Sequence, residues 1–208
     1  MIKGYTLYKG LTTQQHKDFF EVLKNFLNEI KPSRVLEIGT AEGGFILAVR
    51  NILDDMGLNE VPIKTFDVVN YESHEKLKKQ NIEVIIENIF NEKPKFFWGL
   101  VPIFSLSLKN KEIKPYIQND GTTVVFCDGV YKIGEFNCIT PLLKKGDFIL
   151  AHDYVDTWQK YKSNFKNKIW NWCEIRDKDI SGVSKKENLE FYNKSEFDKI
   201  VWVCKVKK

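Results

Sequence analysis

Four carboxylates and a histidine stand at the ends of predicted strands. Glu37 lies near the end of the run RVLEIG, Asp67 near the end of IKTFDVV, and Asp128 near the end of TTVVFCDG; His152 and Asp153 lie near the end of FILAHDY. The carboxyl ends of parallel strands share one edge of a sheet, and ligands of such sheets bind there. A carboxylate at the end of a buried strand is costly unless it is solvated or paired. One such residue could cap the next helix, but four at one edge predict a binding cleft.

The turn after the first of these strands narrows the choice of ligand. It reads EIGTAEGG, with Gly39, Gly43 and Gly44 where a dinucleotide-binding turn has GxGxxG. A dinucleotide needs backbone N–H groups aimed at its pyrophosphate. Glu37, just before the first glycine, would repel a pyrophosphate and attract an ammonium group. Asp67 follows at roughly the 20-residue offset of a carboxylate that binds ribose hydroxyls. The turn therefore predicts a nucleoside-like ligand with a cationic tail, a description that S-adenosylmethionine fits.

The bulk composition is that of one globular domain. The chain has 208 residues, 43% of them hydrophobic and 29% charged, and a formal net charge of +4. Basic and acidic residues are interspersed, so we expect no nucleic-acid partner. The N-terminus has no apolar signal core, and the apolar run Phe96–Leu108 is too short to span a bilayer. We expect a soluble, cytoplasmic protein without a membrane partner, in which that run is either buried packing or a homo-oligomer contact.

Predicted strands alternate with predicted helices through most of the chain, which indicates a Rossmann-like, doubly wound α/β fold with helices on both faces. The strand runs are apolar throughout, as expected when both faces of the sheet are covered. Two late runs, WNWCEI and KIVWVCKVK, leave little room for a helical crossover. We therefore predict a mostly parallel, seven-stranded sheet with an antiparallel last strand.

Two segments flank this core. Residues 1–31 are predicted as a helical segment, because Thr12 and Gln15 have capping-box spacing and apolar residues then recur at helical steps. Residues 154–168 place Trp158, Tyr161 and Phe165 on one helical face. These aromatic residues could pack on the core or form a substrate wall or lid.

The ordered motifs VLEIGTAEGG, FDVV, FCDGVYKIGEF and LLKKGDFILAHDY resemble those of class I S-adenosylmethionine-dependent methyltransferases. Their order and spacing match from about Val35 to Tyr154. The last two motifs are most similar to small-molecule O-methyltransferases of the catechol, macrolide-sugar and cephalosporin types. The resemblance implies that residues 1–208 form one such domain, which transfers a methyl group to a hydroxyl of a small molecule such as a sugar or glycosylated metabolite.

The resemblance also implies residue roles in cofactor binding. Glu37 and the turn Gly39, Thr40, Gly43 and Gly44 would hold the methionine end of S-adenosylmethionine. Asp67 would accept hydrogen bonds from the ribose, and Asn88 would contact the adenine. Apart from the resemblance, Asp128 could orient the cofactor if it binds no metal.

In metal-dependent relatives, acids after the fourth and fifth strands bind Mg²⁺. Asp128 and Asp153 match two of these positions, and His152 stands at the third. The alternative is that Asp153 binds the substrate directly, without a metal. His152 is the best neutral-pH base by residue type, although it could be a structural histidine. Lys132, four positions after Asp128, is either a base like that of related enzymes or an exposed lysine at a helix start.

Two other functions stay open at this point. One is an NAD-linked Rossmann oxidoreductase, which the glycine spacing and Glu37 disfavour. The other is a protein that binds S-adenosylmethionine without transferring its methyl group. The sequence has neither a (D/N)PP(Y/F/W) motif nor a Pro-Cys pair, so we do not expect methylation of nucleic-acid bases.

Overall fold

The computed structural model describes residues 4–91 and 107–208 of the chain. The strands are β1 Gly4–Tyr8, β2 Leu11–His16, β3 Arg34–Ile38, β4 Ile63–Asp67, β5 Ile82–Ile86, β6 Thr123–Cys127, β7 Phe148–His152, β8 Leu189–Phe191 and β9 Trp202–Lys207. The helices are α1 Phe19–Ile30, α2 Gly44–Asp55, α3 His74–Lys78, α4 Ile113–Gln118, α5 Lys132–Ile139, α6 Trp158–Lys160, α7 Asp177–Lys186 and α8 Lys194–Lys199. A 3₁₀ turn at Thr140–Leu142 follows α5, and a π-helical turn at Tyr161–Phe165 follows α6.

Seven strands form the central sheet in the order β5-β4-β3-β6-β7-β9-β8. Strands β3 to β7 are parallel, and β9 runs antiparallel to both of its neighbours. The predicted seven-stranded sheet with an antiparallel last strand is confirmed. The chain moves outward from β3 through β4 to β5, and in the other direction from β6 to β7. The boundary between β3 and β6 is the switch point of the sheet, where ligands of such folds bind.

The sheet is covered on both faces, because neighbouring residues of a strand point to opposite sides. In β3, Val35 packs in one core with α1 and α2, whereas Leu36 packs in a second core with α4 and α5. All five residues of β3, β6 and β7 are buried. This two-sided burial explains the continuous apolar runs of the sequence and confirms helices on both faces.

The N-terminal helical prediction is wrong for residues 4–16, which form the antiparallel hairpin of β1 and β2. The spacing of Thr12 and Gln15 does not make a capping box. Instead, the Thr12 backbone N–H and hydroxyl both donate to the Glu42 carboxylate, at 2.9 and 2.6 Å. The predicted amphipathic helix does form, but it begins at Phe19, with Leu23 and Phe26 buried.

The second correction concerns the late strands. The run WNWCEI contributes only an isolated bridge between Tyr154 and Ile175. The sheet edge is completed by β8 after the helix α7, so a helical crossover does exist where none was predicted. The local apolar pattern was misleading because Trp170 and Trp172 face a cavity described below.

Within residues 4–91 and 107–208, no helix is both long enough and apolar enough to cross a bilayer. Most of the Phe96–Leu108 run lies outside the described residues, so its predicted packing or self-association role stays a prediction.

Candidate active site

Two cavities open at the carboxyl edge of the sheet and meet at Gly39, the first residue after β3. One has a volume of about 290 Å³ and the other about 230 Å³, and Gly39 lines both. The φ of Gly39 is +96°, and a Cβ atom there would lie 2.4 Å from the backbone of Gly129, just after β6. Only glycine permits this close approach. The loops after β3 and β6 therefore touch at the switch point and separate the two cavities.

The larger cavity has mostly apolar walls, including Ile38, Phe66, Ile89, Phe90 and Tyr131. Asp67 stands at its side, half-buried at the end of β4, and accepts hydrogen bonds from the backbone N–H groups of Ala41 (2.7 Å) and Val69 (2.8 Å). The Asn88 side-chain oxygen accepts from the Phe90 N–H at 3.1 Å. The structure thus brings the predicted ribose and adenine residues to one cavity.

Glu135 supports the floor of the larger cavity and was not predicted from the sequence. Its carboxylate accepts from the backbone N–H groups of Gly129 and Tyr131, both at 3.1 Å. Burial raises the pKa of Glu135 to about 7, although the nearby Lys132 charge and the two backbone bonds lower it. An acid three residues into α5 resembles an ordinary solvent-facing helix residue, so the sequence carried no distinct signal for this role.

The smaller cavity is more polar than the larger one and is called the polar cavity below. Four predicted site residues line it, namely Asp128, Lys132, His152 and Asp153. Unpredicted contributions come from the N-terminal hairpin, namely Thr12, Thr13 and Gln14, and from Trp170, Trp172 and Glu174.

His152 and Asp128 form a hydrogen-bonded pair, with His152 Nδ1 3.0 Å from Asp128 Oδ1. The imidazole stacks on Trp202 with ring centroids 4.8 Å apart and lies beside Trp170 at 5.3 Å. Among the described residues, His152 Nε2 has no hydrogen-bond partner. Burial lowers the pKa of His152, but the charges of Asp153 and Asp128 outweigh burial and raise it. Nε2 is buried and lies 3.8 Å from Asp153 Oδ1. A histidine held by a carboxylate at one nitrogen, with no hydrogen bond at the other, has the arrangement of a general base.

Lys132 is buried among carboxylates. Its Nζ donates to Glu174 Oε2 at 2.8 Å, and it lies 3.3 Å from Asp153 Oδ2 and 3.6 Å from Asp128 Oδ1. Burial lowers the pKa of Lys132, but these carboxylates outweigh burial and raise it above the ordinary value. The ammonium therefore stays protonated. The exposed-lysine alternative is wrong, and a role as a neutral base conflicts with these surroundings.

The predicted magnesium ligands do not form a metal site in this structure. Among the described residues, no group of three or more His, Cys, Asp or Glu side chains is placed to hold a metal ion. Asp128, His152 and Asp153 do lie together, but the Lys132 ammonium contacts both carboxylates. Because the position between the acids is filled by a cation of the chain itself, the residues present do not fit a divalent metal.

Glu37 lies beneath the turn and lines neither cavity. The side chain has 0% exposure, Thr65 donates to its Oε2, and Oε1 has no hydrogen-bond partner in the described part of the chain. Burial raises the pKa of Glu37 well above its usual range. The predicted contact between Glu37 and a cofactor ammonium stays a prediction. Thr40 does line the polar cavity, and its hydroxyl lies 2.5 Å from that of Thr65.

The N-terminal hairpin covers the start of α2. A Cβ atom at Gly44 would lie 2.4 Å from the carbonyl oxygen of Thr12 and 2.6 Å from that of Leu11. Gly43 precedes the helix with a φ of +88°. Glycine is required at both positions, but the reason is close packing against the hairpin and Leu77, and neither residue lines a described cavity.

The wall of the polar cavity comes from Trp170, Trp172 and Glu174 rather than from residues 154–168. Tyr161 and Phe165 are buried in a small cluster with Val155, Trp170 and Val201, so the core-packing alternative is confirmed for both. The segment 154–168 supports the wall from behind.

No protein-family model and no curated protein sequence matches the chain. Solved structures do match. An apo structure of CmcI aligns with a TM-score of 0.59 and 12% identity, covering 97% of this chain and 75% of that one. An O-methyltransferase family protein from Burkholderia thailandensis aligns with a TM-score of 0.57 and 9% identity, covering 92% of this chain and 56% of that one. The methyltransferase PaMTH1 of Podospora anserina, bound to S-adenosylhomocysteine, aligns with a TM-score of 0.52 and 15% identity, covering 91% and 78%.

These structures share the architecture and differ widely in sequence. The chain therefore shares the Rossmann-like fold of these solved structures, which confirms the fold predicted from the sequence.

Proposed function

We propose that the protein is an S-adenosylmethionine-dependent methyltransferase that acts on a hydroxyl of a small molecule. The observation that carries this proposal is the pair of cavities that meet at Gly39. The apolar cavity, with Asp67 at its side, suits an adenosine. The polar cavity suits the methionine portion and, beyond it, the acceptor.

The start of α2 favours this cofactor over NAD. In dinucleotide-binding folds the pyrophosphate lies at the helix N-terminus. Here the carbonyl oxygens of Leu11 and Thr12 crowd Gly44, and the Glu42 carboxylate is bonded to Thr12. These oxygens carry negative charge and would repel a phosphate. A cofactor without phosphates avoids that repulsion.

The bound cofactor would supply a methyl group on a positively charged sulfur, and the chain must align an acceptor oxygen with it and take up a proton. His152 Nε2 is the atom we assign to the proton. Asp128 holds His152 Nδ1 at 3.0 Å and stabilises the imidazolium once the proton has moved. The carboxylates of Asp128, Asp153 and Glu174 outnumber the single ammonium of Lys132, so the cavity favours a cationic group.

The acceptor side of the polar cavity is small and aromatic. The whole polar cavity has a volume of about 230 Å³, which the methionine portion and the acceptor group would share, so only a small part of the acceptor can enter. Trp172, which is 46% exposed, presents an aromatic face at the wall. A sugar or a glycosylated metabolite, inserted by its hydroxyl-bearing ring, fits these properties. The cytoplasmic location and the expectation of no nucleic-acid partner remain predictions from the sequence.

Isothermal titration tests the cofactor assignment. S-adenosylhomocysteine should bind with a stoichiometry of one, and Asp67→Ala should weaken that binding by about tenfold, equivalent to roughly 1.4 kcal/mol. Glu60→Ala, an exposed acid far from both cavities, is the matched control and should bind like the wild type. Binding of NADH in preference to S-adenosylhomocysteine would support the oxidoreductase instead.

Methyl transfer is tested with a set of candidate acceptors. Incubation with S-adenosylmethionine and hydroxylated small molecules, sugars included, should release S-adenosylhomocysteine and methyl ether products detectable by mass spectrometry. Tight cofactor binding with no product from any acceptor would favour the alternative of a non-methylating S-adenosylmethionine-binding protein.

A further inference from the structure

The Lys132 ammonium is the point on which three carboxylates converge. Glu174 Oε2 lies 2.8 Å from Lys132 Nζ, Asp153 Oδ2 3.3 Å and Asp128 Oδ1 3.6 Å. The carbonyl oxygen of Gly129 accepts a further hydrogen bond from Nζ at 3.0 Å. The acids come from three different segments, so the lysine joins the loops after β6 and β7 to the wall of the polar cavity.

The remaining oxygens of the two strand-end acids are held by other donors. Asp153 Oδ1 accepts from the Trp170 indole at 2.5 Å, and Asp128 Oδ2 accepts from the Gln15 side chain at 3.2 Å. Asp128 Oδ1 also faces His152 Nδ1 at 3.0 Å. Mg²⁺ requires near-octahedral oxygen ligands at about 2.0–2.1 Å. The acids instead face an ammonium: Glu174 accepts a charge-assisted hydrogen bond from Lys132 Nζ at 2.8 Å, and Asp153 and Asp128 lie at ion-pair distances of 3.3 and 3.6 Å.

We propose that Lys132 is the resident cation of this site, taking the place of a divalent metal ion, so that ligand binding and catalysis need no metal. This inference goes beyond the proposed function. It rests on that function only where the experiment measures the affinity for S-adenosylhomocysteine. Lys132 is then a positioning residue, which fixes Asp153 and Glu174 and neutralises part of their charge. It follows that removal of the ammonium leaves convergent carboxylates, which are the ligands that hard divalent cations prefer.

The test compares Lys132→Met with Lys144→Met. Lys144 pairs with Asp147, a buried acid, at 2.9 Å, and has no second carboxylate partner in residues 4–91 and 107–208. Each variant therefore loses an ammonium beside a buried acid, whereas only Lys132→Met leaves three acids facing one point. Thermal unfolding is followed in EDTA, in MgCl₂ and in MnCl₂, and bound Mn²⁺ is counted by electron paramagnetic resonance.

The wild type should melt at the same temperature in all three solutions and bind no Mn²⁺ at this site. Lys132→Met should melt lower than the wild type in EDTA, recover several degrees with Mn²⁺ and bind one Mn²⁺ per chain. Lys144→Met should gain no metal response. Lys132→Arg, which keeps a cation, should stay metal-insensitive like the wild type.

Two results would overturn the inference. One is a wild type whose melting temperature or affinity for S-adenosylhomocysteine rises with Mg²⁺ over EDTA, a measurement that does not depend on whether any variant folds. The other is a folded Lys132→Met that binds no more Mn²⁺ than Lys144→Met. A wild type that is metal-insensitive and also fails to bind S-adenosylhomocysteine would refute the proposed function and leave this inference standing.

Discussion

The contact between the loops after β3 and β6 leads to a quantitative prediction for Gly39→Ala. The new Cβ atom would lie 2.4 Å from the Cα and N of Gly129 and 2.5 Å from the carbonyl carbon of Asp128. All three are backbone atoms, so no side-chain rotation relieves the overlap. Gly146 is the matched control, because its φ is +87° and a Cβ there would meet nothing within 4 Å.

The two substitutions share one energetic term and differ in another. Alanine in the left-handed region costs roughly 1–2 kcal/mol, and its smaller unfolded-state entropy returns about 0.4–1 kcal/mol. Gly146→Ala should therefore lose at most about 1.6 kcal/mol of unfolding free energy. Gly39→Ala must also force the two loops apart, which costs about 1–3 kcal/mol more by comparison with overpacked cores. At roughly 2–4 °C per kcal/mol for a chain of this size, it should melt about 2–12 °C below the control.

Urea denaturation measures the stability difference, and isothermal titration with S-adenosylhomocysteine, at a temperature where both variants are folded, measures the site. Because Gly39 lines both cavities, its substitution should weaken binding by about tenfold or more, whereas Gly146→Ala should leave binding unchanged. Equal stability and equal affinity for the two variants would show that the loops do not meet as described, and the reasoning would fail.

Four further outcomes are expected. His152→Ala should lower the methyl-transfer rate by about 10²- to 10⁴-fold with little change in S-adenosylhomocysteine affinity. In the wild type, a pH–rate series should show activity rising with pH through the pKa of His152, since the base must be neutral and its pKa is raised; a rate independent of pH would argue against this base. Glu135 has a folded-state pKa of about 7, raised by burial. Protonation is thus favoured in the folded state, and unfolding free energy should fall by roughly 3 kcal/mol between about pH 4.5 and pH 7, then level off. Urea titrations across that range should show a weaker fall for Glu135→Gln. Trp172→Ala should raise KM for the acceptor without changing cofactor affinity, and an unchanged KM would remove this residue from the acceptor wall.

The sheet and its functional edge were predictable from the sequence because both follow from local patterns. Buried strands such as Arg34–Ile38 appear as continuous apolar runs, and the acids that end them must lie at one edge of a parallel sheet. Asp67, Asp128 and Asp153 were located by this reasoning alone, without any knowledge of their contacts.

The N-terminal hairpin and the surroundings of Lys132 and Glu37 were not predictable, because they depend on contacts between segments that are distant in the sequence. Thr12 has the spacing of a helix cap, yet its partner is Glu42, thirty positions away, and the segment becomes a strand. Lys132 stands where an exposed helix-start residue is ordinary, yet Glu174 and Asp153 reach it from elsewhere in the chain. Glu37 has the sequence position of a cofactor ligand, but its burial under the turn is a property of the packed sheet.

A crystal structure of the protein with S-adenosylhomocysteine tests the central claim most directly. We expect the adenosine in the apolar cavity with its ribose at Asp67, and the sulfur in the polar cavity on the side of His152. Ligand density elsewhere, or none in crystals soaked to saturation, would contradict the assignment of this sheet edge as a methyl-transfer site.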